Sequence, residues 1–337
     1  MPVRLVDRRP QVPVETLIAG LVPPPLFAGV SFAGYRPDPA EPSQAEARAA
    51  VSRFAEEVRP RTPARRGWWQ RSDRTARTPG IYLDGGFGVG KTHLLAALWH
   101  AAPGPKAYAT FLELTQLAGV LGFAETVARL TPMTLLAIDE FELDDPGDTV
   151  LVSSLLGRLD EAGVRLAATS NTLPDRLGEQ RFAAADFLRE IQGLAARFTT
   201  IRVDGPDYRH RGLAEPPPPL PELSVRQAAE RPGSSLDDWE SLLAHLAGLH
   251  PSRYGALLDG VERVCLTRVS QAPDENVALR LVVLADRLYD RQLPLACSGE
   301  PLDRLFSPQM LAGGYRAKYR RAISRLVALA RLATAPG

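Results

Sequence analysis

Residues 85–95 read GGFGVGKTHLL: four glycines within six positions, then a lysine and a threonine. Glycine loses more backbone entropy on ordering than any other residue, so a cluster of it inside a globular pattern needs a reason. The stretch before it, GIYLDG (80–85), is short, apolar and strand-like. The stretch after it, THLLAALWHAA (92–102), carries apolar residues at helical spacing. The glycines therefore sit at a strand-to-helix turn, where bare N–H groups and a helix N-terminus can hold an anion. Gly85, Gly90, Lys91 and Thr92 fill the pattern G-x-x-x-x-G-K-[ST], whose backbone cradles nucleotide phosphates. The expected phosphate-binding set is Gly85, Gly86, Phe87, Gly88, Val89, Gly90, Lys91, Thr92 and His93. Within it Lys91 reaches the outer phosphates and the Thr92 hydroxyl ligates Mg²⁺.

A second motif is TLLAIDE (134–140), a buried strand with two carboxylates at its C-terminal end. Open α/β sheets bind ligands at those ends. Asp139 is suited to the Mg²⁺ shell, and Glu140 to orienting and polarising an attacking water. A third is VRLAATSN (164–171), in which Asn171 ends another apolar strand 32 residues beyond Asp139. Its carboxamide can hydrogen-bond the water or the γ-phosphate, although asparagine after a strand is commonly a turn residue. Arginines form the fourth element. Arg181, Arg189 and Arg197 follow Asn171, and one of them could meet transition-state charge from a neighbouring protomer. Each could equally be a surface ion pair.

Strands and helices alternate from residue 80. KAYATF (106–111) precedes a helical run over 112–130, TLLAIDEF precedes one over 148–163, and VRLAATSN precedes one near 184–196 that leads into TTIRVDG (199–205). This predicts an α/β fold of the P-loop NTPase type, a parallel sheet with helices on both faces. EPPPPLPEL (215–223) reads as an extended polyproline linker. The expected organisation is an N-terminal helical and irregular region over 1–79, a core over 80–214, the linker, and a smaller domain over 224–337. In the N-terminal region Ser43 and Glu46 form a capping-box pattern. In the last domain helices are expected near 236–248, 276–290 and 309–333. The final helix has apolar residues on one face and arginines elsewhere, which would suit a lid helix or a membrane surface.

The bulk numbers exclude some classes. A net charge of +1 makes the whole chain no electrostatic nucleic-acid binder. Residues 59–77 do hold seven arginines against one aspartate, with Trp68 and Trp69 among them. That segment is read as a solvated surface, with an acidic partner as the alternative. Cys265 and Cys297 are the two cysteines of the chain and form no metal motif, which fits a reducing compartment. The five histidines form no HExxH pattern, so any metal is expected to be Mg²⁺ arriving with nucleotide. Neither a signal-peptide core nor a run of 18 or more apolar residues is seen, and a cytoplasmic location is expected.

Taken together, these residues resemble the ZapE family of cell-division ATPases, which includes mitochondrial AAA-type relatives. FAGYRPDPAEPSQ (32–44), GIYLDGGFGVGKT, IDEFELDDPGD (138–148), ATSN, QR (180–181) and GPDYRHR (205–211) follow in family order. LRLVVLADRLYD (279–290) and YRRAISRL (319–326) extend the match toward the C-terminus. The resemblance implies an AAA+-like ATPase core with a small C-terminal lid, ATP and Mg²⁺ as cofactors, and a homo-oligomer acting on a protein partner, FtsZ or another divisome component, at the division ring. It assigns Lys91 and Thr92 to the phosphate loop, Asp139 and Glu140 to the second motif, Asn171 to the sensor and Arg181 to the arginine finger. Arg280, Arg321 and Arg325 match lid arginines, one of which could sense the γ-phosphate. Asp84 stands where the family usually has tryptophan. The alternative function is a nucleotide-gated adaptor or scaffold with little turnover of its own. A small-molecule phosphotransferase is the weaker third reading.

Overall fold

The computed structural model describes residues 2–59, 79–86, 88–142, 146–173, 188–205 and 216–334. They divide into two compact units, one formed by Val14–Pro23 with Phe27–Arg211, the other by Met1–Pro13, Pro24–Leu26 and Gly212–Gly337.

The first unit runs α1 (Val14–Ala19), α2 (Pro42–Glu57), β1 (Gly80–Gly85), α3 (Lys91–Ala101), β2 (Lys106–Thr110), α4 (Phe111–Leu121), α5 (Phe123–Leu130), β3 (Leu135–Asp139), α6 (Pro146–Glu161), β4 (Arg165–Ser170), α7 (Leu188–Ala195) and β5 (Phe198–Val203). The strands pair in parallel in the order β2-β3-β4-β1-β5. Every residue of β1 and β3 is buried, because helices cover both faces of the sheet. Side chains alternate between two cores. Leu136 and Ile138 join Tyr82, Leu166 and residues of α4 and α6, whereas Leu135 and Ala137 join Ile81, Leu83, Val203 and residues of α2 and α3.

Two local expectations are corrected. The helical run over 112–130 is two helices bent by 118°. Gly122 breaks it with φ +80°, and Thr110 and Glu113 form a capping box at the start of α4. Ser43 does not cap α2; Pro42 takes the first turn, and the Ser43 hydroxyl instead accepts the Asp204 N–H at 2.8 Å.

The second unit runs β6 (Ser234–Asp238), β7 (Arg263–Val269) and β8 (Leu295–Gly299) as a parallel sheet. Around it lie α8 (Glu222–Ala229), α9 (Trp239–Ala247), α10 (Tyr254–Leu257), α11 (Glu275–Asp290), α12 (Pro308–Ala312) and α13 (Arg316–Thr334). The lid implied by the resemblance is thus an α/β unit with its own sheet. The N-terminal stretch does not stand apart as a region over 1–79. Val3 bridges to Ser235, and the Asp237 carboxylate accepts the N–H groups of Leu5 and Val6, so residues 2–13 belong to this unit. Nor is the proline run a free linker: Leu220 donates its N–H to the Cys297 carbonyl at 2.9 Å. The apolar face of α13 is packed within the unit, with Tyr319, Ala322, Ile323, Leu326 and Ala330 buried. It therefore has no apolar stripe to offer a membrane surface. Among the described residues no single helix is long and apolar enough to cross a membrane.

Candidate functional site

Parallel, in-register pairing lines up the C-terminal ends of β1, β4 and β3. Asp84 is level with Ser170, and Ile138 with Ala168. The residues that follow those positions are Gly85, Asn171, Asp139 and Thr169, and they converge on the start of α3. Asn171 and Asp139 are far from the glycine loop in sequence, and the sheet order alone brings them to it.

Gly88 and Gly90 have φ of +81° and +89°, a region that L side chains enter only with strain. Here glycine is required, and it exposes N–H groups of the loop at the N-terminus of α3. The Lys91 ammonium is buried at 8% exposure. It donates to the carbonyls of Gly85 at 2.7 Å and Gly86 at 2.5 Å, and to Asn171 Oδ1 at 2.9 Å. Thr92 Oγ1 donates to Asp139 Oδ1 at 3.3 Å. Phe87 lies outside the described residues. The His93 ring has its Nε2 3.0 Å from the Ser31 carbonyl and its centroid 5.6 Å from that of the Tyr35 ring.

Asp139 is buried and fully engaged. Its Oδ2 accepts the Tyr108 hydroxyl at 2.8 Å. Its Oδ1 accepts the Thr169 hydroxyl and the Glu140 N–H. Burial, and then the Asp139 charge and hydrogen bond, push the Tyr108 phenol well above its ordinary value. Glu140 takes φ +54°, an uncommon conformation for a residue with a side chain. Its N–H, donated to both Asp139 Oδ1 and Thr169 Oγ1 at 3.1 Å, holds that turn at the strand end.

A nucleotide and Mg²⁺ fit these residues. The glycine amides and Lys91 suit phosphate oxygens, and Thr92 with Asp139 forms the hard oxygen pair that Mg²⁺ takes alongside substrate phosphates.

Sequence reasoning missed several supporting side chains. Tyr108, Thr169 and Glu142 each touch Asp139 or Asn171. Tyr35 donates its hydroxyl to the Val89 carbonyl at 2.8 Å. Asp84, buried in β1, pairs with Arg202, which supplies the counter-charge that a carboxylate needs at that depth. Asp84, Thr169 and Glu142 lie in or beside a motif at a strand end, whereas Tyr108 and Tyr35 do not.

The arginines divide. Arg181 lies outside the described residues, as do residues 60–77 of the arginine-rich segment and residues 206–211. Arg189 is exposed on α7. Arg197 precedes β5, and its carbonyl accepts the Gly80 N–H at 2.7 Å. It therefore sits at the opposite end of the sheet, about 20 Å of strand from the phosphate loop, and its guanidinium pairs with Asp160 at 2.9 Å. In the second unit Arg280 donates to the carbonyls of Leu246 and Leu249, and Arg321 and Arg325 both pair with Asp286. All three of these contacts lie within their own unit.

A family model described as AFG1-like ATPase matches residues 11–222 and 220–334. The cell division protein ZapE of Escherichia coli K12 is 36% identical over 161 residues, 44% of this chain and 43% of ZapE. An uncharacterized protein of Schizosaccharomyces pombe is 30% identical over 151 residues, 39% of this chain and 33% of that protein. The aligned region spans less than half the length of either relative. Among solved structures, the crystal structure of DnaI superposes with a TM-score of 0.40 at 18% identity, covering 53% of this chain and 94% of DnaI.

Proposed function

Because this chain belongs to the AFG1-like ATPase family, we propose that it binds ATP with Mg²⁺ and hydrolyses it as an oligomer acting on a protein partner in cell division. The observation that carries this reading is the convergence of Lys91, Thr92, Asp139 and Asn171 on one glycine turn. Lys91 and the loop amides hold the phosphates. Thr92 and Asp139 would hold Mg²⁺, which would supply positive charge to the phosphates. Glu140 orients and polarises the attacking water, and Asn171 senses the γ-phosphate end of the site. The arginine that completes the site in trans is Arg181, with Arg197 as the second candidate; Arg197 would have to leave Asp160 to act. The likeness to the cell division protein ZapE supports the cell-division role, and the FtsZ ring as the place of action and a cytoplasmic location are part of the same proposal.

The test is ATP turnover per protomer as a function of protein concentration, with Lys91→Ala as the blank. A rate that climbs with concentration is expected, and Glu140→Gln is expected to bind ATP without turning it over. Wild-type turnover in Glu140→Gln would remove Glu140 from its role. A flat rate above the blank would remove the trans arginine.

A further inference from the structure

Glu142 is a carboxylate two residues beyond the acidic pair, only 6% exposed, and no step above uses it. Its Oε1 accepts the Asn171 Nδ2–H at 3.3 Å, while the Asn171 Oδ1 accepts the Lys91 ammonium at 2.9 Å. The amide is thus held between an anion and a cation. Lysine can only donate and an ionised glutamate can only accept. Turning the amide over would place oxygen against oxygen and N–H against ammonium, so both ends enforce one orientation, and charge assistance strengthens both bonds.

We propose that Glu142 is a positioning residue that commits Asn171 to the acceptor role. When nucleotide phosphates draw Lys91 away, Nδ2 stays on Glu142 and Oδ1 is left facing the cleft. Asn171 then accepts a hydrogen bond from the attacking water and does not donate to the γ-phosphate. This deepens the ATPase reading and rests on it for the identity of the water. The orientation of the amide does not depend on turnover.

The first measurement follows the Asn171 side-chain ¹⁵N–¹H resonances of the full chain, with and without a nonhydrolysable ATP analogue. The Nδ2 protons are expected to stay exchange-protected in both states, and to lose protection in Glu142→Leu but not in Glu142→Gln. Loss of protection in the wild type on adding the analogue overturns the proposal. The second measurement is steady-state kinetics. Glu142→Leu is expected to lower kcat on the order of 10²-fold while KM for ATP changes less than about threefold. Asn171→Asp alone sets two carboxylates face to face and should be inactive. Combining it with Glu142→Gln keeps the net charge and restores a donor–acceptor pair with an oxygen still facing the cleft, so turnover should recover above the Asn171→Asp level. No recovery, or a fall in affinity matching the fall in kcat, overturns the proposal. If the wild type shows no turnover above Lys91→Ala, the ATPase reading falls, and the amide resonances still decide the orientation.

Discussion

Tyr108 and Asp139 are joined across the β2–β3 pair by a hydroxyl-to-carboxylate hydrogen bond of 2.8 Å, with the phenol fully enclosed. Their strands are parallel and in register, Ala109 beside Ile138, so the tyrosine reaches the strand end from the neighbouring strand. The bond occupies Oδ2, and the Thr92, Thr169 and Glu140 donors share Oδ1. Tyr108→Phe leaves a buried acceptor short of its donor, at about 1–3 kcal/mol. The expected outcome is a lower Tm and a several-fold rise in the Mg²⁺ concentration that half-saturates turnover, read by Mg²⁺ titration at fixed ATP.

Gly90 and Gly119 respond oppositely to the same substitution. A Cβ on Gly90 would lie 2.5 Å from the Tyr35 ring, at φ +89°. Gly90→Ala should therefore abolish binding of a fluorescent nucleotide and lower Tm, since the left-handed conformation alone costs about 1–2 kcal/mol. A Cβ on Gly119, within α4, meets nothing within 4 Å. Gly119→Ala should raise stability by about 0.5–1 kcal/mol and leave nucleotide binding unchanged.

Asp286 should make the second unit acid-sensitive. Burial pushes its carboxyl up, but the Arg321 and Arg325 guanidiniums outweigh that and hold it below the usual carboxylate range. A depressed folded value contributes stability that is present at neutral pH and is lost as pH falls through it. Asp286→Asn leaves two arginines without their shared partner, and the expected loss is about 3–5 kcal/mol at pH 7. The gap between variant and wild type should narrow below about pH 4. Thermal melts across a pH series check both the sign and the window.

Cys265 and Cys297 should be inert in the folded chain. Both are buried, and burial pushes each thiol up to about 11. The thiolate is the reactive form, so a disulfide reagent at pH 8 should label neither thiol until denaturant is added. The two also cannot bridge in place: Cys265 is level with Ala296, and Cys297 with Leu266, which puts their side chains on opposite faces of the sheet. Rapid labelling of the native protein would contradict this packing.

Much of the site was legible in the chain because its chemistry is local. The glycine loop, Lys91 and Thr92 are contiguous, and the loop's backbone needs glycine wherever φ is positive. Asp139 and Asn171 announced themselves as polar residues ending apolar runs. The supporting side chains carried no such mark. Tyr108 reads as an ordinary strand residue, and Glu142 as one acid among several. The sheet of the second unit was missed for a related reason: β6 is SSLDD, a strand with little apolar pattern, buried because neighbours cover it.

The arginines show where local reading stops. Arg321 and Arg325 have the spacing of one helix face, which fits a ligand and an internal ion pair equally well. Only packing against α11 decided for Asp286, because a guanidinium's partner is set by what lies across from it in space.

The sequence by itself determined the glycine turn, the two carboxylates and the alternation of strands and helices, since these depend on backbone conformation and hydrophobic period within short windows. The tertiary structure alone decided the strand order β2-β3-β4-β1-β5, the meeting of Lys91 with Asn171, and the partners of Arg197, Arg321 and Arg325. Those depend on contacts between residues far apart in the chain, which no local window contains.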